Sequence, residues 1–283
     1  SALQSHQRAL EIRVKVLGEE HPDTAQSYFN LGITQHASGD FLSALQSKQR
    51  ALDIRVKLFG EEHPDTARSY FSLAVTQHDS GDVLSALQSH QRALEIRVKV
   101  LGEEHPDTAK SYFNLGITQH ASGDFLSALQ SDQRALEIRV KLFGEEHPDT
   151  AGSYFNLAVT QHASGDFLSA LQSHQRVLEI RVKVLGKEHP DTAQSYFNLG
   201  ITQHASGDFL SALQSKRRAL DIRVKLFGEE HPHTARSYFS LAVTQHDSGD
   251  FLSALQSHQR ALEIRVKVLG EEHPDTAQSY VNL

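Results

Sequence analysis

The stretch GEEHPDTA, residues Gly18–Ala25, decides how this chain folds because it returns at a constant interval. It begins again, twice with one letter changed, at residues 60, 102, 144, 186, 228 and 270. Each start therefore lies 42 residues after the one before it. A fixed period of this length indicates a stack of similar structural units, which share one continuous core, rather than a single globular domain.

The boundaries of the units follow from a second recurring triplet, Ser-Ala-Leu. Cutting the chain there gives six complete units and a seventh of 31 residues, starting at residues 1, 43, 85, 127, 169, 211 and 253. We predict a single repeat array over residues 1–283. The chain starts at Ser1 and contains no methionine, so we expect it to be a fragment of a longer protein.

Each unit carries the start and stop signals of two helices. Pro64 suits the first position of a helix, where its missing N–H has no partner to lose, and Asp65 suits the positive end of the helix dipole. Gly81 is predicted to end that helix in the left-handed conformation, and Asp82 to cap the next one. Gly102 is predicted to end the second helix.

The apolar residues recur at helical spacing in both segments, and no segment alternates with the period of a β-strand. The predicted buried face of the first helix comprises Ala67, Tyr70, Leu73, Ala74 and Gln77. The predicted apolar face of the second comprises Leu84, Leu87, Leu94, Ile96, Val98 and Leu101. We therefore predict an all-α chain.

The amino-acid composition argues against several classes of function. The net charge is −7 with neutral histidines, and no Lys/Arg cluster stands out, so we expect no nucleic-acid partner. No apolar run approaches the ~18 residues of a membrane span. Cysteine is absent, which favours a reducing, cytoplasmic setting and excludes thiolate chemistry.

His21 and Asp23 lie close together in the opening stretch, and the pair recurs in every copy except the one at residue 228, where His233 replaces the aspartate. The pair invites an acid–base interpretation. No nucleophile recurs beside them, and both lie at a helix start whose structural role accounts for them. We therefore predict that the chain is not an enzyme and needs no cofactor.

Three stretches carry a family resemblance: YFNLG at Tyr28–Gly32, GDFLSAL at Gly39–Leu45 and RALDI at Arg50–Ile54. Their residue types and mutual spacing resemble the tetratricopeptide repeat, and the match recurs in every unit. The 42-residue period is similar to the longer repeats of kinesin light chain and nephrocystin-like proteins. The resemblance implies an α-solenoid of antiparallel helix pairs, stacked into a superhelix whose concave surface is lined by the first helices.

The sequence departs from that family at a few positions. Gln35, His36 and Lys48 stand where aromatic residues are usual, and the proline that normally closes the second helix is absent.

The first helices present a polar and aromatic strip on the side opposite the predicted core. The resemblance implies that asparagines on this strip bind the backbone of an extended peptide, which makes the array a scaffold for a protein or peptide ligand; the alternative is that they cap or bridge helices within the stack. The candidate positions are an amide or hydroxyl row (Asn30, Ser72, Asn114, Asn156, Asn198, Ser240), a phenylalanine row (Phe29, Phe71, Phe113, Phe155, Phe197, Phe239) and a histidine row (His36, His78, His120, His162, His204, His246).

Metal binding is disfavoured for the histidine row. Histidines one repeat apart lie on different helices, roughly 10 Å apart at ordinary helix packing distances. That separation is too large for one ion, so we predict no metal site.

The two ends of the chain suggest a different function, that of a structural spacer or a self-stacking filament element. The chain begins inside a second helix and stops inside a first helix, and a head-to-tail contact that does not close produces an open filament. We predict that Tyr280 and Leu283 of one molecule pack near Ala2, Leu3 and Leu10 of the next.

Overall fold

Helices account for nearly the whole of residues 2–282, the part of the chain that the computed structural model describes. These residues form fourteen α-helices and no strand. The helices are α1 (Ala2–Leu17), α2 (Pro22–Ala37), α3 (Phe41–Phe59), α4 (Pro64–Asp79), α5 (Val83–Leu101), α6 (Pro106–Ala121), α7 (Phe125–Phe143), α8 (Pro148–Ala163), α9 (Phe167–Leu185), α10 (Pro190–Ala205), α11 (Phe209–Phe227), α12 (Pro232–Asp247), α13 (Phe251–Leu269) and α14 (Pro274–Val281).

The helices pack in sequential pairs within two compact units, Ser1–Gly144 and Glu145–Leu283. In the first unit α2 packs on α3, α4 on α5 and α6 on α7, and each second helix also packs on the first helix that follows it. The second unit repeats the arrangement with α8 on α9, α10 on α11 and α12 on α13. The predicted all-α fold of stacked helix pairs is confirmed.

Each first helix starts with a histidine cap that the sequence did not reveal. The ring Nδ1 of His63 accepts a hydrogen bond from the backbone N–H of Asp65 at 3.1 Å, with Pro64 between them at the first helical position. Thr66 Oγ1 donates to the carbonyl of Gly60 at 2.8 Å, which ties the helix start to the preceding turn. The equivalent His21 therefore satisfies a backbone donor, as a capping residue does.

The predicted turn residues behave as expected. Gly81 has a φ of 90°, in the region that favours glycine. The carboxylate of Asp82 accepts from the backbone N–H of Ser85 at 3.2 Å and caps α5. Gly102 ends α5 and its N–H donates to Val98.

The buried face of the second helix differs from the prediction. Ala86, Ala93 and Ile96 are almost fully buried, whereas Leu84 is 73% exposed. Small side chains line the contact because they let α4 and α5 approach closely, and Leu84 lies in the first turn, outside that contact. The same exposure recurs at Leu42, Leu126, Leu168, Leu210 and Leu252.

Candidate functional site

A cavity of the first unit lies along its first helices. It measures about 830 Å³ and is lined by residues of α2, α4 and α6 together with parts of α3 and α5. Ile33, Phe71 and Val75 supply apolar wall, and Arg68 and Lys110 supply cationic groups. Apolar walls with a few polar and charged groups are the usual lining of a ligand-binding cleft.

Two positively charged side chains cover aromatic rings in this cavity. The guanidinium of Arg68 lies 4.7 Å from the centre of the Phe29 ring, and the ammonium of Lys110 lies 5.2 Å from that of Phe71. Both Arg68 and Lys110 are exposed, so these cation–π contacts hold two mobile charges at defined places in the groove.

The amide row lies partly buried on the first helices. Asn30 Oδ1 accepts from Gln26 Nε2 at 2.7 Å, and Asn198 Oδ1 accepts from Gln194 Nε2 at 2.8 Å. Asn114 Nδ2 donates to the Lys110 carbonyl at 2.9 Å. These bonds stay within one helix, so they neither cap a helix nor bridge two.

Asn156 differs from the other asparagines of the row. Its amide nitrogen is buried and has no hydrogen-bond partner in the structure. A buried amide donor without a partner costs roughly 1–3 kcal/mol, so a ligand carbonyl that reached this atom would recover free energy.

The phenylalanine row is less accessible than the sequence suggested. Phe29 and Phe197 are only 3% and 2% exposed, and the other four are half-buried. Arg55 of α3 covers the Phe29 ring at 4.8 Å, on top of the contact from Arg68. A ligand can reach Phe29 or Phe197 only if a neighbouring arginine moves.

A buried arginine on five of the second helices, α3, α5, α7, α11 and α13, was not anticipated from the sequence. Arg55 is 3% exposed, and its guanidinium donates to Ser69 Oγ at 2.9 Å and to Gln26 Oε1 at 2.8 Å. It thus connects α3 to both neighbouring first helices. Burial lowers the pKa of this arginine, and the nearby Asp65 opposes the shift.

The histidine row connects consecutive first helices. His36 Nδ1 lies 2.9 Å from Thr76 Oγ1, and His36 Nε2 lies 3.1 Å from the carboxylate of Asp79. His204 repeats this arrangement, 3.1 Å from Thr244 Oγ1 and 3.2 Å from Asp247. Elsewhere the row is less regular: the pair His78–Thr118 is longer, at 3.4 Å, and His120 Nε2 is buried without a partner.

One buried position of the second helices carries an ionisable side chain that contacts the same first helix as the histidine row does. In α3 it is Lys48, whose ammonium donates to Thr76 Oγ1 at 2.6 Å and to the Ser72 carbonyl at 3.0 Å. Burial lowers the pKa of Lys48 to about 8, and Asp79 partly opposes the shift. Lys216 makes the equivalent contacts in the second unit, with a pKa also lowered to about 8.

The side chain at this buried position correlates with the residue opposite it on the first helix, which is either glycine or alanine. A Cβ added to Gly32 would lie 2.7 Å from Lys48 Cγ, so the lysine needs a glycine opposite it. Where the position is histidine, as at His90, the first helix carries alanine instead, here Ala74. The full set of pairs is Gly32–Lys48, Ala74–His90, Gly116–Asp132, Ala158–His174, Gly200–Lys216 and Ala242–His258.

The second unit contains two smaller cavities. One of about 500 Å³ is lined by His233, Arg236, Phe239 and Gln278, among others. Another of about 300 Å³ is lined by Phe155, His162, Gln194, Asn198 and Arg236, among others. Members of all three candidate rows thus reach cavities, and Gln278 replaces the cation that Lys110 supplies in the first unit.

The residues predicted to mediate self-association lie at the two ends of the described chain. Ala2 is exposed, whereas the equivalent Ala44 is fully buried. Leu3 and Leu10 are half-buried, and Tyr280 is 53% exposed. Leu283, which belongs to the same prediction, lies outside the described residues.

Comparison with known proteins identifies the repeat. The family model for the tetratricopeptide repeat matches residues 1–55, 36–97, 77–139, 120–181, 162–223 and 215–265. Proteins of this family generally serve as scaffolds for interactions with other proteins. No curated protein matches the chain. Within residues 2–282, no helix combines the length and apolar character needed to cross a membrane.

Several solved structures are similar. BtubC (BKLC) from P. vanneervenii is 27% identical, with a TM-score of 0.69, over 80% of this chain and 91% of that chain. A putative kinesin light chain from Podosopora anserina, with nearly identical repeats, is 27% identical, with a TM-score of 0.67, over 73% of this chain and 98% of that chain. The apo form of RapI shares the fold at 18% identity and a TM-score of 0.65, over 86% of this chain and 98% of that chain.

Proposed function

Because the chain belongs to the tetratricopeptide repeat family, we propose that it is an interaction scaffold whose first helices bind an extended peptide segment of another protein. The observation that carries the proposal is the cavity of about 830 Å³ shared by α2, α4 and α6. A cavity bordered by three successive first helices suits an extended segment, because each helix offers the next few residues a new set of contacts.

The groove offers both kinds of contact that a peptide needs. Ile33, Phe71 and Val75 can cover apolar side chains of the ligand. Ser72 of the amide or hydroxyl row lines the cavity. Asn30 and Asn114, on the preceding and following first helices, keep hydrogen-bonding capacity beyond the bonds described above, because a side-chain amide has two N–H donors and an oxygen acceptor. These amides would bind main-chain groups, which gives affinity without strict sequence selection.

We expect the asparagine row to be required for peptide binding. Peptides selected from a random library on the immobilised 283-residue chain supply a defined ligand, whose affinity is then measured by calorimetry. Replacing Asn30, Ser72 and Asn114 by alanine should weaken binding about 10- to 1000-fold, since each lost hydrogen bond contributes about 0.5–1.5 kcal/mol. Gln133→Ala, at an exposed site of α7, is the control and should leave the affinity unchanged.

Two results would count against the groove. The first is an affinity of the triple variant equal to that of the parent chain, with the same helix content. The second is a selected peptide whose binding is lost equally in the Gln133→Ala control.

A second candidate function, end-to-end assembly, is favoured by the charges at the two ends. Within the array, loop glutamates pair with the following second helix, as Lys99 does with Glu62 at 2.5 Å. Among residues 2–282, neither the corresponding Glu272 nor Lys15, the residue that matches Lys99 in α1, forms an ion pair. The Glu272 carboxylate of one molecule would thus form an ion pair with the Lys15 ammonium of the next.

We therefore expect the 283-residue chain to associate as its concentration rises. Sedimentation velocity over a hundredfold concentration range should show a growing mass that falls back when Lys15→Glu is introduced. Combining Lys15→Glu with Glu272→Lys should restore association, because the reversed pair has the same attraction. A mass that is constant for all three proteins would exclude this mode of assembly.

A further inference from the structure

Exposed ion pairs connect the loops between repeats to the second helices that follow. Arg92 of α5 binds the carboxylate of Glu61 at 2.6 Å and also Glu95 at 3.0 Å. The same loop-to-helix pair recurs as Arg50–Glu19, Arg134–Glu103, Arg176–Glu145 and Arg260–Glu229. At each of these junctions the guanidinium is neutralised from within the chain.

The junction before α11 breaks this pattern. Lys187 occupies the sequence position of the loop glutamate that pairs with the equivalent arginine at the other junctions, so Arg218 of α11 lacks that carboxylate partner. The residue beside it, a glutamine in the other second helices, is Arg217. Among the residues that the structure describes, none of these three cations forms an ion pair; Lys187 and Arg217 are exposed and Arg218 is half-buried.

Three acidic groups surround this cluster: Asp221, four residues after Arg217 on α11, together with Glu188 and Asp250. Glu188, in the same loop as Lys187, binds Lys225, and its pKa is lowered by that lysine and, to a smaller degree, by Arg218. Asp250 caps α13, and Arg217 contributes to lowering its pKa. Neither carboxylate takes the position that Glu19 holds beside Arg50.

The chain contains a near-copy of this region that serves as an internal reference. Residues 18–82 and 186–250 have the same sequence except at three positions, and all three changes make the second copy more positive. The differences are Glu19 to Lys187, Gln49 to Arg217 and Asp65 to His233. Two of these three changes fall in the cluster, in a chain whose net charge is −7.

We propose that Lys187, Arg217 and Arg218 form a docking surface for an acidic segment of a partner protein. Arg218 presents the planar fork of donors that its counterparts use to bind a glutamate, and a carboxylate of the partner takes the place of the missing one. Lys187 and Arg217 bind the neighbouring acidic residues. None of the three lines a described cavity, so the surface is separate from the peptide groove and does not depend on it.

A short acidic segment fits this surface better than a nucleic acid does. Three cations neutralise only a few charges, whereas a nucleic acid derives its affinity from many phosphate contacts at once. The neighbouring Glu188 and Asp250 also repel a long polyanion that extends beyond the cluster.

Hexaglutamate is the probe, measured by fluorescence anisotropy on the 283-residue chain at low ionic strength. We expect one molecule to bind per chain and binding to weaken about tenfold in the double variant Lys187→Glu with Arg217→Gln, which recreates the junction of the first copy. The reciprocal variant, Glu19→Lys with Gln49→Arg, should add a second site. Gln91→Glu with Lys99→Glu changes the net charge equally at exposed positions of α5 and should not alter binding.

The result that overturns the proposal is equal affinity of the parent chain and the Lys187→Glu, Arg217→Gln variant. An absence of measurable hexaglutamate binding overturns it as well. A thymidine dodecamer bound as tightly as hexaglutamate, with the same dependence on Lys187 and Arg217, would replace the acidic protein segment by a nucleic acid. Helix content and melting temperature of all variants show whether the array remains folded.

Discussion

Gly32→Ala is expected to destabilise the first unit although alanine is the better helix former. The new Cβ would meet Lys48 Cγ at 2.7 Å and the Ala44 carbonyl at 3.2 Å. Overpacking of a close helix contact costs about 1–3 kcal/mol, which outweighs the gain of ~1 kcal/mol in helix propensity. The midpoint of urea unfolding should therefore fall.

Lys48→His should relieve this strain. The double variant reproduces the pair that Ala74 and His90 form in the next repeat, and it also removes a cation that is almost fully buried. The lysine change alone leaves unfilled space beside Gly32. We expect the double variant to unfold at a higher urea concentration than either single variant, with a coupling free energy of about 2 kcal/mol.

The same set of two single variants and one double variant can be made in the second unit. Gly200 lies at the same distance from Lys216 Cγ as Gly32 does from Lys48, so Gly200→Ala and Lys216→His should show a coupling of the same sign and size. Additive effects in both units would contradict the matching of helix pairs.

Acidification is expected to destabilise the array through its buried histidines. Burial lowers the pKa of His90 to about 3 and that of His174 to about 4, from an ordinary value of 6.5. Smaller contributions to these shifts come from His78 and Arg97 around His90, and from His162 and Arg181 around His174.

The sign follows from which state binds the proton. Between the folded and unfolded pKa values only the unfolded chain is protonated at these positions, so the free energy of unfolding falls as the pH drops below 6.5. At pH 5 each histidine should lower the free energy of unfolding by about 2 kcal/mol relative to neutral pH.

Urea unfolding at pH 7.5 and pH 5.0 measures this loss. The double variant His90→Gln with His174→Gln should lose less stability on acidification, by about 4 kcal/mol in total. Each single variant should recover about half of that difference. If the double variant and the parent chain lose stability equally, the buried histidines are not responsible for the acid sensitivity.

The helix boundaries were predictable because they depend on local chemistry. Pro64, Gly81 and Asp82 act on the backbone within a few residues, so their positions in the sequence determine where helices start and end. The ring of His63 was missed as a cap because histidine is not among the usual capping residues. Its role depends on the proline that follows it and holds the turn.

The groove was harder to predict because burial depends on how close neighbouring helices come. A hydrophobicity pattern favours Leu84 over Ala86, yet the small side chain is the one that a tight contact accepts. Likewise, Phe29 was expected to face outward, and only the positions of Arg55 and Arg68 reveal that its ring is covered. The candidate rows were placed on the correct helices, but their accessibility could not be read from their spacing.

The alternation of the matched pairs along the chain bears on how nearly identical repeats find their correct neighbours. During folding, a first helix can meet the second helix of the wrong repeat, since most of the contact surface is the same in every unit. A mistake of one repeat would place an alanine against Lys48 or a glycine against a histidine, which produces a clash or a void. An error by an even number of repeats preserves the match, and the smallest such error, two repeats, must loop out 84 residues. The alternation thus disfavours pairing that is shifted by one repeat.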